Sequence, residues 1–269
     1  SPKSITVIDM KDERESIASA IKSGVNYKID KITKDNLGSR LSEYLSAGDL
    51  LIDLSCNIDS IELLEWCHSN NVMYINASVE VWDPFANENG NSPSAKTLYT
   101  RHMAVREISS NWSNKIGATA VLEHGGNPGL VSYFTKVGLK DIALKIVNTK
   151  KTDSRIASLK TAIEKDDFSK LAQLTGVKVI HISERDSQIT NKPKEVNEFV
   201  NTWSVDGFYE ESIAPAEMGW GTHERVLPPN ALFHNYGPCN QICLAKMGMK
   251  TWVRSWVPSG EITGMVIRH

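Results

Sequence analysis

Short apolar runs alternate with stretches of helical periodicity over the first 124 residues, and this alternation constrains the architecture most. SITVIDM (4–10), VNYKIDKI (25–32), DLLIDLS (49–55), VMYINAS (72–78) and GATAVLEH (117–124) read as strands. Between them, Ile17, Ala20 and Ile21 share a helical face that stops at Gly24. Leu37, Leu41 and Leu45 recur at helical spacing up to Gly48. Ile61, Leu64 and Cys67 mark a third helix, and a fourth is expected near 96–111, after a Pro/Asn/Gly-rich loop at 83–93. Repeated β-α units of this size imply a parallel sheet with right-handed crossovers. DLLIDLS has the unbroken apolar character of a strand buried on both faces.

The second half changes character. A helix is expected from Pro128, a charged helical stretch over 153–174, and then several strands separated by loops. The reading is an α/β domain over residues 1–124 followed by an α+β domain over 125–269.

Composition excludes several classes. With 30 Lys+Arg against 32 Asp+Glu the net charge is −2, so binding of nucleic acid through bulk positive charge is not expected. No apolar stretch approaches the roughly 18–20 residues of a membrane helix, and SPKSITVIDM carries no signal-peptide core. The four cysteines are too sparse for a disulfide scaffold. Cys239 and Cys243 would suit one helix face, but no second close pair and no HExxH accompanies them. They read as reduced thiols of a cytoplasmic protein without a metal.

A dinucleotide-binding fold opens with a strand, a G-x-G-x-x-G turn and a helix, and a carboxylate ends its second strand about 20 residues on. This chain opens on a strand ending in Asp9, and it contains no G-x-G-x-x-G. The expectation is a Rossmann-type sheet whose first β-α unit precedes Ser1. The alternative is a different α/β fold, in which Asp9 is a solvated strand end. As a ribose ligand, Asp9 would favour NAD over its 2′-phosphorylated form, and nearby Lys11 would weaken that preference.

EHGGNPG (123–129) follows a strand and opens a helix. Asn127 suits the N-cap and Pro128 the first turn, while the glycines let backbone approach a ligand. Read plainly this is a capped turn; read functionally it puts the Asn127 amide beside cofactor and substrate. Glu184 in ISERD, Trp203 in NTW, and Glu210 and Glu211 just past a glycine turn form a second group. Carboxylates with an indole face suit an organic cation. His124 and His223 are possible acid/base groups, while His269, taken in isolation, is uninterpretable. No G-x-S-x-G elbow supports a serine hydrolase.

ITVIDMKDE, SVEVWDPF, TAVLEHGGNPGLVSYF, HISERDSQ, FVNTWSVDGF, PAEMGWGTHER and VRSWVP, in this order, resemble the bacterial homospermidine synthases, relatives of the saccharopine dehydrogenases. The resemblance covers essentially the whole chain. It implies a Rossmann-type NAD domain, an α+β domain for catalysis and homodimerisation, and conversion of two putrescines, or spermidine plus putrescine, to sym-homospermidine. It assigns Asp9, Leu54, Ser55 and Asn127 to the cofactor. It assigns Glu80, Glu184 and Glu211 to the substrate's ammonium groups, Trp203 to a pocket π-face, and Asn127, Glu211, Trp203 and His269 to the catalytic centre. Asn57 stands where some members carry an entrance Asp. The glycine loop, a carboxylate after His269 and a C-terminal return to the cofactor domain are expected outside residues 1–269. Two readings stay open beside this one. An NAD(P)-dependent dehydrogenase of the saccharopine or carboxynorspermidine type would need arginine forks for carboxylated substrates, and Arg185 and Arg225 are available. A non-catalytic NAD- or polyamine-binding protein would lack the glycine loop in its full reading frame.

Overall fold

A computed structural model describes residues 2–86, 92–177, 180, 187, 189–198, 200, 204–220 and 225–250, with the side chains of Pro128 and Met249 left aside. The chain divides into two compact units. One comprises Ser1–Pro84 and Ile108–Glu123, the other Phe85–Glu107 and His124–His269. The chain thus enters the second unit at Phe85, returns at Ile108 and leaves again at His124, where the sequence suggested a single change near Gly125.

The first unit follows the β-α alternation. Strand β1 (Thr6–Asp9), helix α1 (Ala18–Lys22) and strand β2 (Asn26–Ile29) form one unit, with β1 and β2 parallel. Helix α2 (Leu37–Tyr44) buries Leu37 and Leu41, four apart on one face. Strand β3 (Leu50–Asp53), helix α3 (Ser60–Ser69) and strand β4 (Met73–Asn76) follow, and β3, β4 and the short β5 (Ala120–Val121) pair in parallel in that order. Asp59 caps α3 by accepting from the Ile61 and Glu62 amides at 2.9 and 3.1 Å. Leu63, Leu64 and Cys67 bury one face of that helix. Burial pushes the Cys67 thiol up to about 12.

One expectation fails here. DLLIDLS is not buried on both faces: along β3 Asp53 is buried and Leu51 half-buried, while Leu50 is exposed and Ile52 is 60% exposed. Val7, Met73 and Val121 on the other strands are exposed too. Helix α3 packs beside β4; the apolar run reports strand propensity, and Leu50 and Ile52 on its outward side stay exposed.

The second unit has a helical and a sheet part. Helix α4 (Leu98–Asn111) starts in it, after a 3₁₀ turn at Pro93–Lys96. The long α5 (Val131–Thr149) packs on α6 (Ile156–Glu164) and α7 (Phe168–Thr175) around Leu139, Ala143, Leu159, Ala162 and Leu171. The expected 153–174 helix is two helices, broken where Asp166 takes a positive φ and Asp167 caps α7. Helix α8 (Val205–Ile213) leads into β6 (Pro215–Gly219). Strands β7 (Ala231–Phe233) and β8 (Gln241–Met247) complete an antiparallel sheet of order β6-β8-β7. Cys243 lies inside β8 and Cys239 in the preceding loop, so the expected shared helix face does not exist.

Candidate active site

Parallel strands bring their C-terminal ends to one edge, where α/β sheets bind ligands. Here the edge of β3, β4 and β5 is held by a polar chain. Buried Asp53, at the end of β3, accepts the Ser55 amide at 3.0 Å and the Ser55 hydroxyl at 2.6 Å on Oδ1. Its Oδ2 accepts the Tyr74 hydroxyl at 2.8 Å. Tyr74 in turn accepts Asn76 Nδ2 at 3.1 Å, and Asn76 Oδ1 accepts the Glu123 amide at 2.8 Å. Burial, then the neighbouring Asp53 charge, raises the Tyr74 hydroxyl well above its ordinary range, so it stays a donor.

The loops above carry predicted site residues. Leu54 is 77% exposed, Ser55 is half-buried, and Asn57 is exposed with φ +59°. Glu80 is fixed by its main chain: its amide donates to Ser60 Oγ at 2.8 Å and its carbonyl accepts the Ser60 amide at 3.1 Å. Its Oε1 accepts the Ser78 hydroxyl at 2.6 Å, and Oε2 lies 3.5 Å from the Asn57 amide, a long contact. The structure therefore brings Leu54, Ser55, Asn57 and Glu80 together at one sheet edge. Asp9 ends β1 on the other ladder. Its Oδ1 accepts the Lys11 amide at 2.8 Å, and among the described residues its carboxylate takes no other bond. A carboxylate with an oxygen to spare at a strand end fits ribose hydroxyls.

In the second unit, residues 126–130 form one wide turn closed by Leu130 N–H to Gly125 O at 2.9 Å, with Asn127 extended at φ −137°, ψ 118°. Asn127 does not cap the helix: α5 begins at Val131, and the Asn127 amide side chain makes no hydrogen bond among the described residues. His124 is exposed with its ring edge-on to Tyr133. Glu210 and Glu211 are not in a loop past a glycine turn. They lie in α8, where Ser204 accepts the Gly207 amide at 2.9 Å and turns the apparent break into a helix start. Glu210 pairs with Arg101 in a largely buried ion pair, and Glu211, its neighbour on the helix, is half-buried.

Sequence reasoning missed the buried polar residues. Asp53, Tyr74 and Asn76 sat inside runs read as strands; the signal was an aspartate in LLIDL. Glu217 in β6 is buried and accepts the Leu98 and Tyr99 amides at 2.9 and 3.0 Å, anchoring the first turn of α4. His234, 4% exposed, stacks on Tyr99 with ring centroids 4.0 Å apart, and neither ring nitrogen has a partner among the described residues. Burial lowers its pKa, against the opposing pull of Glu217. Glu184, Arg185, Trp203, His223 and His269 lie outside the described residues. Among the described residues no cluster of His, Cys, Asp and Glu could hold a metal ion, and no helix is long and apolar enough to cross a membrane.

A parallel ladder with a polar, loop-bearing C-terminal edge, followed by an α+β unit, defines a class. Residues 1–121 match the saccharopine dehydrogenase NADP binding domain and residues 125–269 the saccharopine dehydrogenase C-terminal domain, so the chain belongs to the saccharopine dehydrogenase family. Within it the similarity is to homospermidine synthases. That of Blastochloris viridis is 35% identical over 269 residues, covering 98% of this chain and 54% of the relative. That of Mesorhizobium japonicum is 35% identical over 270 residues, covering 98% of this chain and 53% of the relative. The crystal structure of the Legionella pneumophila homospermidine synthase in complex with NAD superposes with a TM-score of 0.67 at 32% identity, covering 98% of this chain and 52% of that one. The chain spans about half the length of the curated relatives it matches.

Proposed function

We propose that this chain is part of an NAD-dependent homospermidine synthase acting on putrescine, with spermidine as a second aminobutyl donor. The observation that carries the reading is the 35% identity to two homospermidine synthases over 98% of the chain, through both units. NAD, when bound, would supply the hydride chemistry, accepting a hydride from the carbon bearing one putrescine amine and giving it back, with no net redox change. The second putrescine attacks that carbon as a neutral amine, ammonia leaves, and the resulting imine is reduced.

The chain's own residues position and exchange protons. Asp9 holds the adenosine ribose, and Leu54, Ser55 and Asn127 contact the cofactor. Glu80, Glu184 and Glu211 bind ammonium groups, and Asn57 lies at the entrance. Trp203 offers its π-face to the cationic amine. Glu211 and His269 accept and return the amine protons. The carboxylate set disfavours substrates that themselves carry a carboxylate. The pairing of Arg101 with Glu210 fits this, because that guanidinium is already engaged by a carboxylate. The protein acts as a cytoplasmic homodimer, a state that light scattering measures directly.

The test incubates the full encoded polypeptide with labelled putrescine and NAD. The expected result is homospermidine with one ammonia per product and no accumulating NADH. Turnover of lysine with 2-oxoglutarate at a comparable rate would overturn it in favour of a saccharopine-type dehydrogenase.

A further inference from the structure

Two residues at the sheet edge adopt a left-handed backbone that only glycine takes freely: Asn57 at φ +59° and Glu123 at φ +56°. Asparagine tolerates this region; glutamate does not, and something must hold it there. The holder is Asn76, whose Oδ1 accepts the Glu123 amide at 2.8 Å. Asn76 is in turn fixed by Tyr74, and Tyr74 by Asp53, whose other oxygen takes both the amide and the hydroxyl of Ser55. Asn76 Nδ2 also lies 3.4 Å from Ser60 Oγ, the group that accepts the Glu80 amide.

The polar chain therefore ends on backbone amides of three loops: Ser55 after β3, Glu80 after β4 and Glu123 after β5. Asp53 is 8% exposed, Asn76 2% and Tyr74 1%, so none of the three offers itself to a ligand. Apolar side chains of similar volume would fill this space without binding any loop. A satisfied buried network, by contrast, fixes one geometry.

We infer that the buried Asp53–Tyr74–Asn76 chain is a positioning device that sets the Ser55, Glu80 and Glu123 loops for the nicotinamide dinucleotide. This rests on the reading of that edge as the cofactor site. Asp53 and Asn76 face each other in register across β3 and β4, so one rigid rung serves both loops. Tyr74 bridges them and is the residue to remove.

Tyr74→Phe keeps the ring and deletes the hydroxyl. Asp53 then loses a donor and Asn76 an acceptor, while no atom proposed to touch the cofactor changes. The control is Leu63→Ala, a core truncation in the same unit that leaves the polar chain intact. Two readouts are independent of turnover: the dissociation constant for NAD by calorimetry, and the alkylation rate of Cys56 without NAD. Cys56 is the exposed cysteine of the Ser55–Asn57 loop.

The expected result for Tyr74→Phe is a dissociation constant raised about ten-fold, or about 1.4 kcal/mol, with Cys56 alkylated several-fold faster. Leu63→Ala should lower the melting temperature by as much or more and move neither. If Tyr74→Phe binds NAD and reacts at Cys56 like the parent, the polar chain is structural only and the inference fails. With every variant made in the full encoded polypeptide, if Cys56 accelerates but the parent itself binds no NAD, the loop coupling stands and the cofactor assignment of this edge is overturned. Should the phenylalanine variant not fold, Ser60→Ala, which removes the acceptor of the Glu80 amide, carries the same two readouts, and the same results support or overturn the inference.

Discussion

Asp9 shows how much one residue can carry. Its carboxylate ends β1 with one oxygen engaged by the Lys11 amide. If the other meets the ribose hydroxyls, it repels a 2′-phosphate. A charged hydrogen bond contributes about 1.5–3 kcal/mol, so Asp9→Ser should move the preference for NAD over its phosphorylated form by about ten- to a hundred-fold. Competitive titration of the two cofactors measures this, and an unchanged ratio returns Asp9 to a solvated strand end. Trp203 calls for a mutant series. As a cation-binding face it should show activity falling from Trp through Phe to Leu, with about five- to thirty-fold at stake for 1–2 kcal/mol of cation–π attraction. A Leu variant as active as Phe, with melting temperature unchanged, would make it a packing residue. Residues of this kind stand out in a sequence because a strand-end carboxylate or a tryptophan among glutamates carries chemistry in its type. Asp53, Tyr74 and Asn76 were not, since a residue's hydrogen-bond partner across a strand pair is invisible until register is known.

At the scale of elements, periodicity located nearly every helix and strand of the first unit, because Leu37/Leu41/Leu45 and Ile61/Leu64/Cys67 recur at spacings that only a helix turns into a face. The failures have local causes. Gly207 signalled a break, but Ser204 caps its amide and the glutamates beyond became helical. The Asn127 turn was expected to cap and instead stays extended. A cap that does form is testable. Asp59 accepts two amides at the start of α3, and Asp59→Ala should destabilise by about 1 kcal/mol. Thermal melting measures the loss, and Asp59→Asn should recover most of it.

For the molecule as a whole, pH stability should carry the mark of His234. Burial holds its folded pKa below the ordinary 6.5. Above about pH 6.5 both folded and unfolded histidine are neutral and nothing is lost. As pH falls below that value the unfolded state takes up a proton that the folded state resists, so stability declines by at most about 1.4 kcal/mol per pH unit from this group. His234→Phe, which keeps a ring against Tyr99, should flatten that share of the decline between pH 7 and 5. Parallel denaturant melts of parent and variant give the difference, and equal slopes would remove His234 as its source. The division of the chain has its own consequence for anyone dissecting it. Residues 85–107 cluster with residues 124–269, and Glu217 takes its two amide donors from Leu98 and Tyr99. A fragment expressed from Gly125 onward would therefore lose both amide donors of Glu217 along with the segment that packs over it. Any fragment meant to yield the second unit should keep residues 85–107 together with residues 124–269, even though the family boundary lies near residue 125.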